Sequence, residues 1–171
     1  MKTIFHRFRK YSSVSLQEEG EMLESAIFLE EITRVCFQSM NDGVNNGNVR
    51  RECQLFFKEA LLTQNQLKNF LKDPLISHER FERMCRNHQV EPSHFSILGI
   101  IEIALHYALQ KWNIYKYLLT NTRGADSEKT LTQALTRTWK EIKFLKNEEK
   151  FQKNKEAQNL WQWSAASGIL R

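Results

Sequence analysis

Proline is scarce in this 171-residue chain, at two residues, and glycine is limited to six. A sandwich or barrel of many short strands needs far more turn punctuation, so this scarcity excludes it and favours long helices with few joints. No apolar run approaches the roughly 20 residues that span a bilayer, so no transmembrane helix is expected. The basic start, MKTIFHRFRKYSS, has no apolar h-region and no small-residue cleavage site, and so does not read as a secretory signal. Cysteine is sparse too. Cys36, Cys53 and Cys85 are odd in number and widely spaced, with no CxxC, which points to reduced thiols and a cytoplasmic setting. Phosphate-cradling glycine loops and the GxSxG nucleophile turn are also missing.

What is present is helical periodicity. Leu23, Ala26, Ile27 and Phe37 return at helical spacing over about 15–40, with Ser15 as expected N-cap. NDGVNNGN at 41–48 reads as a loop. A second helix over 49–72 carries Cys53, Phe56, Phe57, Ala60, Leu67, Phe70 and Leu71, and Asp73-Pro74 ends it. A long connection, 73–93, is expected to bury Phe81 and Met84. The third helix, 94–120, presents Ile97, Ile101, Ala104, Ala108 and Tyr115. After the glycine loop at 121–126, a fourth over 127–152 presents Leu131, Leu135, Thr138, Ile142 and Leu145. The domain reading is a basic arm at 1–14, a bundle at 15–152 and a helical extension or tail at 153–171.

The chain also repeats itself. An offset of 78 residues lays 22–40 on 100–118, pairing Glu24 with Glu102, Ala26 with Ala104 and Phe37 with Tyr115. An offset of 75 pairs Thr63 with Thr138 and Gln66 with Glu141. Each half is then helix, glycine-containing loop, helix. The fold class is all-α: a four-helix bundle of two helical hairpins with a long crossover, the connectivity of ferritin-like bundles.

EIALHYALQKWNIYKY resembles the third helix of the ferritin-like family, in its rubrerythrin-like branch, where a metal-binding Glu precedes an aromatic by seven residues. LTRTWKEIKFL resembles the fourth, where Glu-x-x-His precedes an apolar pair. The resemblance covers about residues 20–150 and rests on register. It places the family's metal-ligand positions on Glu30, Thr63, Gln66, Ala108, Thr138 and Glu141. Only Glu30 and Glu141 keep a carboxylate and neither histidine is present, which is too few ligands for a di-iron site. The resemblance therefore implies lost oxidase or peroxidase activity and no cofactor. Iron or manganese enters only in the alternative reading, a metal-binding protein with a rearranged carboxylate site.

Glu30 lies on the face of Leu23, Ile27 and Phe37, and a charge there requires a partner. Thr63, Thr138 or a helix-borne cation such as Arg34 is expected to supply it. With neutral hydroxyls around it, Glu30→Leu is expected to be tolerated. His78, His88 and His94 with Cys85 lack the spacing of a structural zinc site. His106 reads as an outer-face residue.

The net charge of +5 gathers in Lys2, Arg7, Arg9 and Lys10, and in Lys140, Lys143, Lys146, Lys150, Lys153 and Lys155. The second cluster alternates with Glu141, Glu148, Glu149 and Glu156, which reads as a solvated helix face. No recognition motif accompanies the charge, so nucleic acid is not the expected partner. The functional expectation is a non-enzymatic bundle that binds another protein or its own copy. Tyr107, Trp112, Tyr117, Trp161 and Trp163 are the candidate interface aromatics.

Overall fold

The computed structural model describes residues 16–70, 96–122 and 124–166, and these form four helices and no strand. They are α1 (Leu16–Gly43), α2 (Gly47–Lys68), α3 (Ile97–Asn121) and α4 (Ala125–Ala166). The expected cap Ser15, the connection 73–93 with His78, Phe81, Met84, Cys85 and His88, and His94 at the expected start of the third helix lie outside the described residues, as does the arm 1–14.

The joint between α1 and α2 is tighter than the composition of 41–48 implied, because α1 runs through Asp42 to Gly43. Asn46 then caps α2, its side-chain oxygen accepting from the backbone N–H groups of Asn48 (2.9 Å) and Val49 (3.4 Å). Gly43 faces Ile97 of α3. A Cβ there would meet Ile97 Cδ1 at 2.3 Å. Ser96 caps α3 by accepting from Gly99 N at 3.1 Å. Gly124, at φ +143°, takes the backbone turn into α4 that other residues rarely adopt. α4 does not end near 152. It continues unbroken for 42 residues, about 63 Å at 1.5 Å per residue.

Packing fixes the topology. α1 packs on α2 and on α3, and α4 packs on α3 and, less extensively, on α2. Gln64 of α2 reaches Ile27 of α1, while Val49 and Val44 share a core cluster at the other end, so α1 and α2 are antiparallel. Thr122, which caps the end of α3, donates to Glu19 of α1 at 2.8 Å, and Ile97 at the start of α3 lies against Gly43 at the end of α1, so α1 and α3 are antiparallel too. The end of α2 and the start of α3 therefore lie at opposite ends of the bundle. This is the connectivity of two hairpins joined by a long crossover.

The core has two parts. Phe28, Phe37, Met40, Phe56, Ile101, Ala104 and Leu145 belong to the larger, near the α1–α2 joint. Leu23, Ala26, Ile27, Leu67, Leu118 and Leu131 belong to the smaller, near the α3–α4 joint. Burial of the leucine, isoleucine, phenylalanine and methionine side chains among them, at roughly 1.5–3 kcal/mol each, is the main favourable term in the fold. Between the two clusters the same helix faces carry charge.

Candidate functional site

Four ionisable side chains meet inside the bundle: Glu30 of α1, Lys111 of α3, and Arg137 and Glu141 of α4. Arg137 is 7% exposed and the other three are fully buried. Lys111 is central. Its ammonium donates to Glu30 Oε2 at 3.0 Å, to Thr33 Oγ1 at 3.0 Å and to Glu141 Oε2 at 2.8 Å. Those are all three of its protons. Arg137 pairs with Glu30, donates to Thr63 Oγ1 and to the Glu59 carbonyl at 2.7 Å, and holds its Nε 3.0 Å from Glu141 Oε1. That last contact is an ion pair without the alignment of a hydrogen bond. Tyr115, fully buried one turn beyond Lys111, donates its hydroxyl to Glu30.

The formal charges of two carboxylates, one ammonium and one guanidinium cancel. Desolvation would raise the Glu30 pKa, but Arg137 and Lys111, with the Tyr115 hydrogen bond, hold it below the usual carboxylate value. Burial and the adjacent Glu30 push the Tyr115 phenol well above its ordinary value, so it serves as a neutral donor. Burial opposes the Arg137 charge, but Glu30 and Glu141 more than offset this and raise its pKa.

The register inferred from sequence brings some of its residues here and leaves others out. Glu30 and Glu141 share the layer, and Thr63 joins it through Arg137. Ala108 is buried on the α3 stripe below Lys111 and Tyr115. Thr138 is buried but donates to its own helix, at Ala134 O, 2.8 Å. Gln66 is half-buried, and its neighbour Gln64 reaches α1 instead, donating to Ile27 O at 3.5 Å and Glu31 Oε2 at 3.3 Å. The offset of 78 that relates Glu30 to Ala108 also relates Thr33 to Lys111, and Thr33 accepts from Lys111 in this layer.

Two expectations fail. Arg34 pairs with Glu31 through its Nε (2.9 Å) and Nη2, and it is half-exposed, so it does not serve Glu30. The partners of Glu30 include two cations, so removing its carboxylate strands buried positive charge. The premise of neutral partners behind a tolerated Glu30→Leu does not hold, and a loss of stability is now expected of that change. Lys111 and Arg137 are absent from the sequence expectation, in which Tyr115 figures only as a core residue. For Lys111 a signal exists: Ala104, Ala108, Lys111, Tyr115 and Leu118 form one helical stripe, and a lysine on it has to be buried or break it.

A metal pair does not fit these residues. Lys111 and Arg137 are cations, not ligands, and their nitrogens occupy the coordination space of both carboxylates. Among the described residues no three His, Cys, Asp or Glu side chains are grouped to hold an ion. Lys111 also has no free proton or lone pair to offer a substrate. Cys36 and Cys53 are buried thiols without a disulfide, each pushed up to about 12 by burial, which keeps them from acting as nucleophiles.

The candidate interface aromatics are partly committed to packing. Tyr107 and Trp112 are half-buried against the larger core cluster, and Tyr117 is half-buried on α3. Trp161 and Trp163 fall within α4, but their side chains lie outside the described set. His106 is exposed as expected, its Nε2 2.7 Å from Gln110 Nε2.

No family model, curated protein or solved structure matches this chain.

Proposed function

We propose that the chain is a non-catalytic, ferritin-like bundle serving as a protein-binding or structural module in the cytoplasm. On this reading the layer that holds metal in the family is held together by the protein's own cations. One observation carries it: Lys111, fully buried, bridges Glu30 and Glu141 with every proton engaged. Cations stand against both carboxylates, in the positions that a metal or substrate would need to reach them. The up-down-down-up topology supports the ferritin-like part.

The test is metal titration with thermal melting. Purified protein should contain no stoichiometric iron or manganese, and its Tm should not move with added Fe2+ or Mn2+. Stoichiometric metal with a rise in Tm would sink the reading and favour the rearranged carboxylate site. Sedimentation of the purified chain tests self-association against a different protein partner.

A further inference from the structure

Glu141, which in the sequence interrupts the lysine cluster of α4, is turned inward to Lys111. Between Glu128 and Glu148 the outer surface of α4 therefore carries no carboxylate. Trp139, Lys143, Lys146 and Lys150 follow at intervals of four, three and four residues, which is one stripe of a helix, and all four are exposed. α3 adds a parallel row of exposed Leu109, half-buried Trp112 and exposed Lys116. The two rows meet where the rings of Trp112 and Trp139 lie 6.0 Å apart. Lys116 sits 4.5 Å over the Trp112 ring and Lys143 5.3 Å over that of Trp139. The carboxylates on this face, Glu102 and Glu149, stand at one end and are both bridged by Lys153. Among the described residues Lys146 and Lys150 have no carboxylate partner.

We infer that this outer face of the α3–α4 hairpin docks on an anionic lipid surface, with Trp139 at headgroup depth and Lys116, Lys143, Lys146 and Lys150 on the phosphates. Charge complementarity and residue choice both point there. The cations are all lysines, compact charges suited to a diffuse field; bidentate recognition of one defined group uses arginine. Tryptophan beside lysine is the pairing favoured at a membrane–water boundary, where the ring is half wet and half apolar. Base stacking by a nucleic acid fits less well, because ammonium groups already cover the ring faces. No described helix is long and apolar enough to cross the bilayer, so attachment would be peripheral. The inference uses the inward turn of Glu141 toward Lys111 but does not depend on the ferritin-like reading.

Vesicle co-sedimentation of the full chain tests it. Vesicles of phosphatidylcholine with 30 mol% phosphatidylserine should pellet the protein and pure phosphatidylcholine should not, and the binding should weaken as salt rises. The double variant Lys143→Glu/Lys146→Glu should bind at least about ten-fold more weakly with an unchanged melt, since each lysine near such a surface contributes roughly a few-fold in affinity. Trp139→Ala should weaken binding about three-fold or more at constant charge. Wild-type sedimentation of the double variant would remove the face from the account, pointing to another basic segment. Absence of sedimentation together with binding of soluble poly-glutamate would assign the face to an acidic protein and overturn the lipid proposal.

Discussion

Two layers of the bundle lie two helical turns apart on the same three helices, and they could hardly differ more. In one, Glu30, Thr63 and Arg137 meet across α1, α2 and α4. In the other, Phe37, Phe56 and Phe144, each seven residues along its helix, form a ring cluster with centroids 5.1, 5.4 and 6.4 Å apart. Seven residues return a helix to nearly the same face, so both layers use the same stripe. The aromatic layer tolerates sliding, because ring contacts are non-directional apart from weak geometric preferences. The ionic layer does not tolerate it. Shifting α3 by one turn would separate Lys111 from Glu30 and Glu141, leaving a buried ammonium without a carboxylate and two carboxylates with Arg137 alone. The aromatic layer mainly supplies stability, and the ionic layer mainly specifies the alignment of α1, α3 and α4.

The sharpest way to break this contrast is to remove one charge. Lys111→Met should destabilise by about 3–5 kcal/mol in urea unfolding, because two carboxylates are left inside with Arg137 alone. Replacing all four groups together, Glu30→Leu, Lys111→Met, Arg137→Leu and Glu141→Leu, should recover most of that loss, though with less uniquely packed helices. Sharp, dispersed amide resonances in the quadruple variant would argue against the aligning role.

Next in size is Tyr115→Phe, expected to cost about 1.5–3 kcal/mol, since it removes a hydrogen bond to a buried carboxylate. The pH profile follows from the same groups. Glu30 has a folded pKa below its unfolded value near 4.5, so its contribution is complete above that value and is lost as pH falls through the folded one. The Tyr115 phenol is shifted upward, so its contribution is complete below about pH 10 and declines above it. Stability measured by urea midpoint should be flat between roughly pH 6 and 9 and fall on both sides. Tyr115→Phe should shift the acid limb upward and remove this residue's share of the alkaline one. An unchanged acid limb would mean that Tyr115 does not help hold Glu30 ionised.

Much of this architecture was legible in the sequence. Four helices, two glycine joints and the apolar stripes containing Leu23, Phe37, Ile101 and Leu131 follow from period and turn chemistry alone. Glu30 was recognisable as a charge on an apolar face. Its partners are harder to see, because the apolar pattern of α3 runs from Ala108 to Tyr115 across Lys111, and a lysine taken by itself signals a surface. Arg137 is hidden for a related reason: it stands next to Thr138, the residue that falls on the metal register. Pattern reading scores each residue by its own polarity, whereas a buried ion pair is favourable only jointly, through residues up to 107 positions apart, as Glu30 and Arg137 are. The extent of α4 was also underestimated, since lysine and glutamate continue a helix well after its apolar stripe ends.

Smaller changes refine the comparison. Phe37→Leu in the aromatic layer should cost about 1–2 kcal/mol and leave the pH profile unaltered. Arg34→Ala, which breaks the partly exposed pair with Glu31, should cost less than about 1 kcal/mol, and high salt should mask it. A loss there comparable to that of Lys111→Met would mean that burial is not what distinguishes the two ion pairs.

The most direct test is a double-mutant cycle between Glu30 and Lys111. Urea unfolding of wild type, Glu30→Leu, Lys111→Met and the double variant yields the energy by which each side chain depends on the other. The buried bridge predicts single losses of about 3–5 kcal/mol each, and a double variant less destabilised than their sum by at least about 2 kcal/mol. Losses that add to within about 0.5 kcal/mol would show that the two groups do not balance each other's charge, and would contradict the account of a core layer held by its own cations.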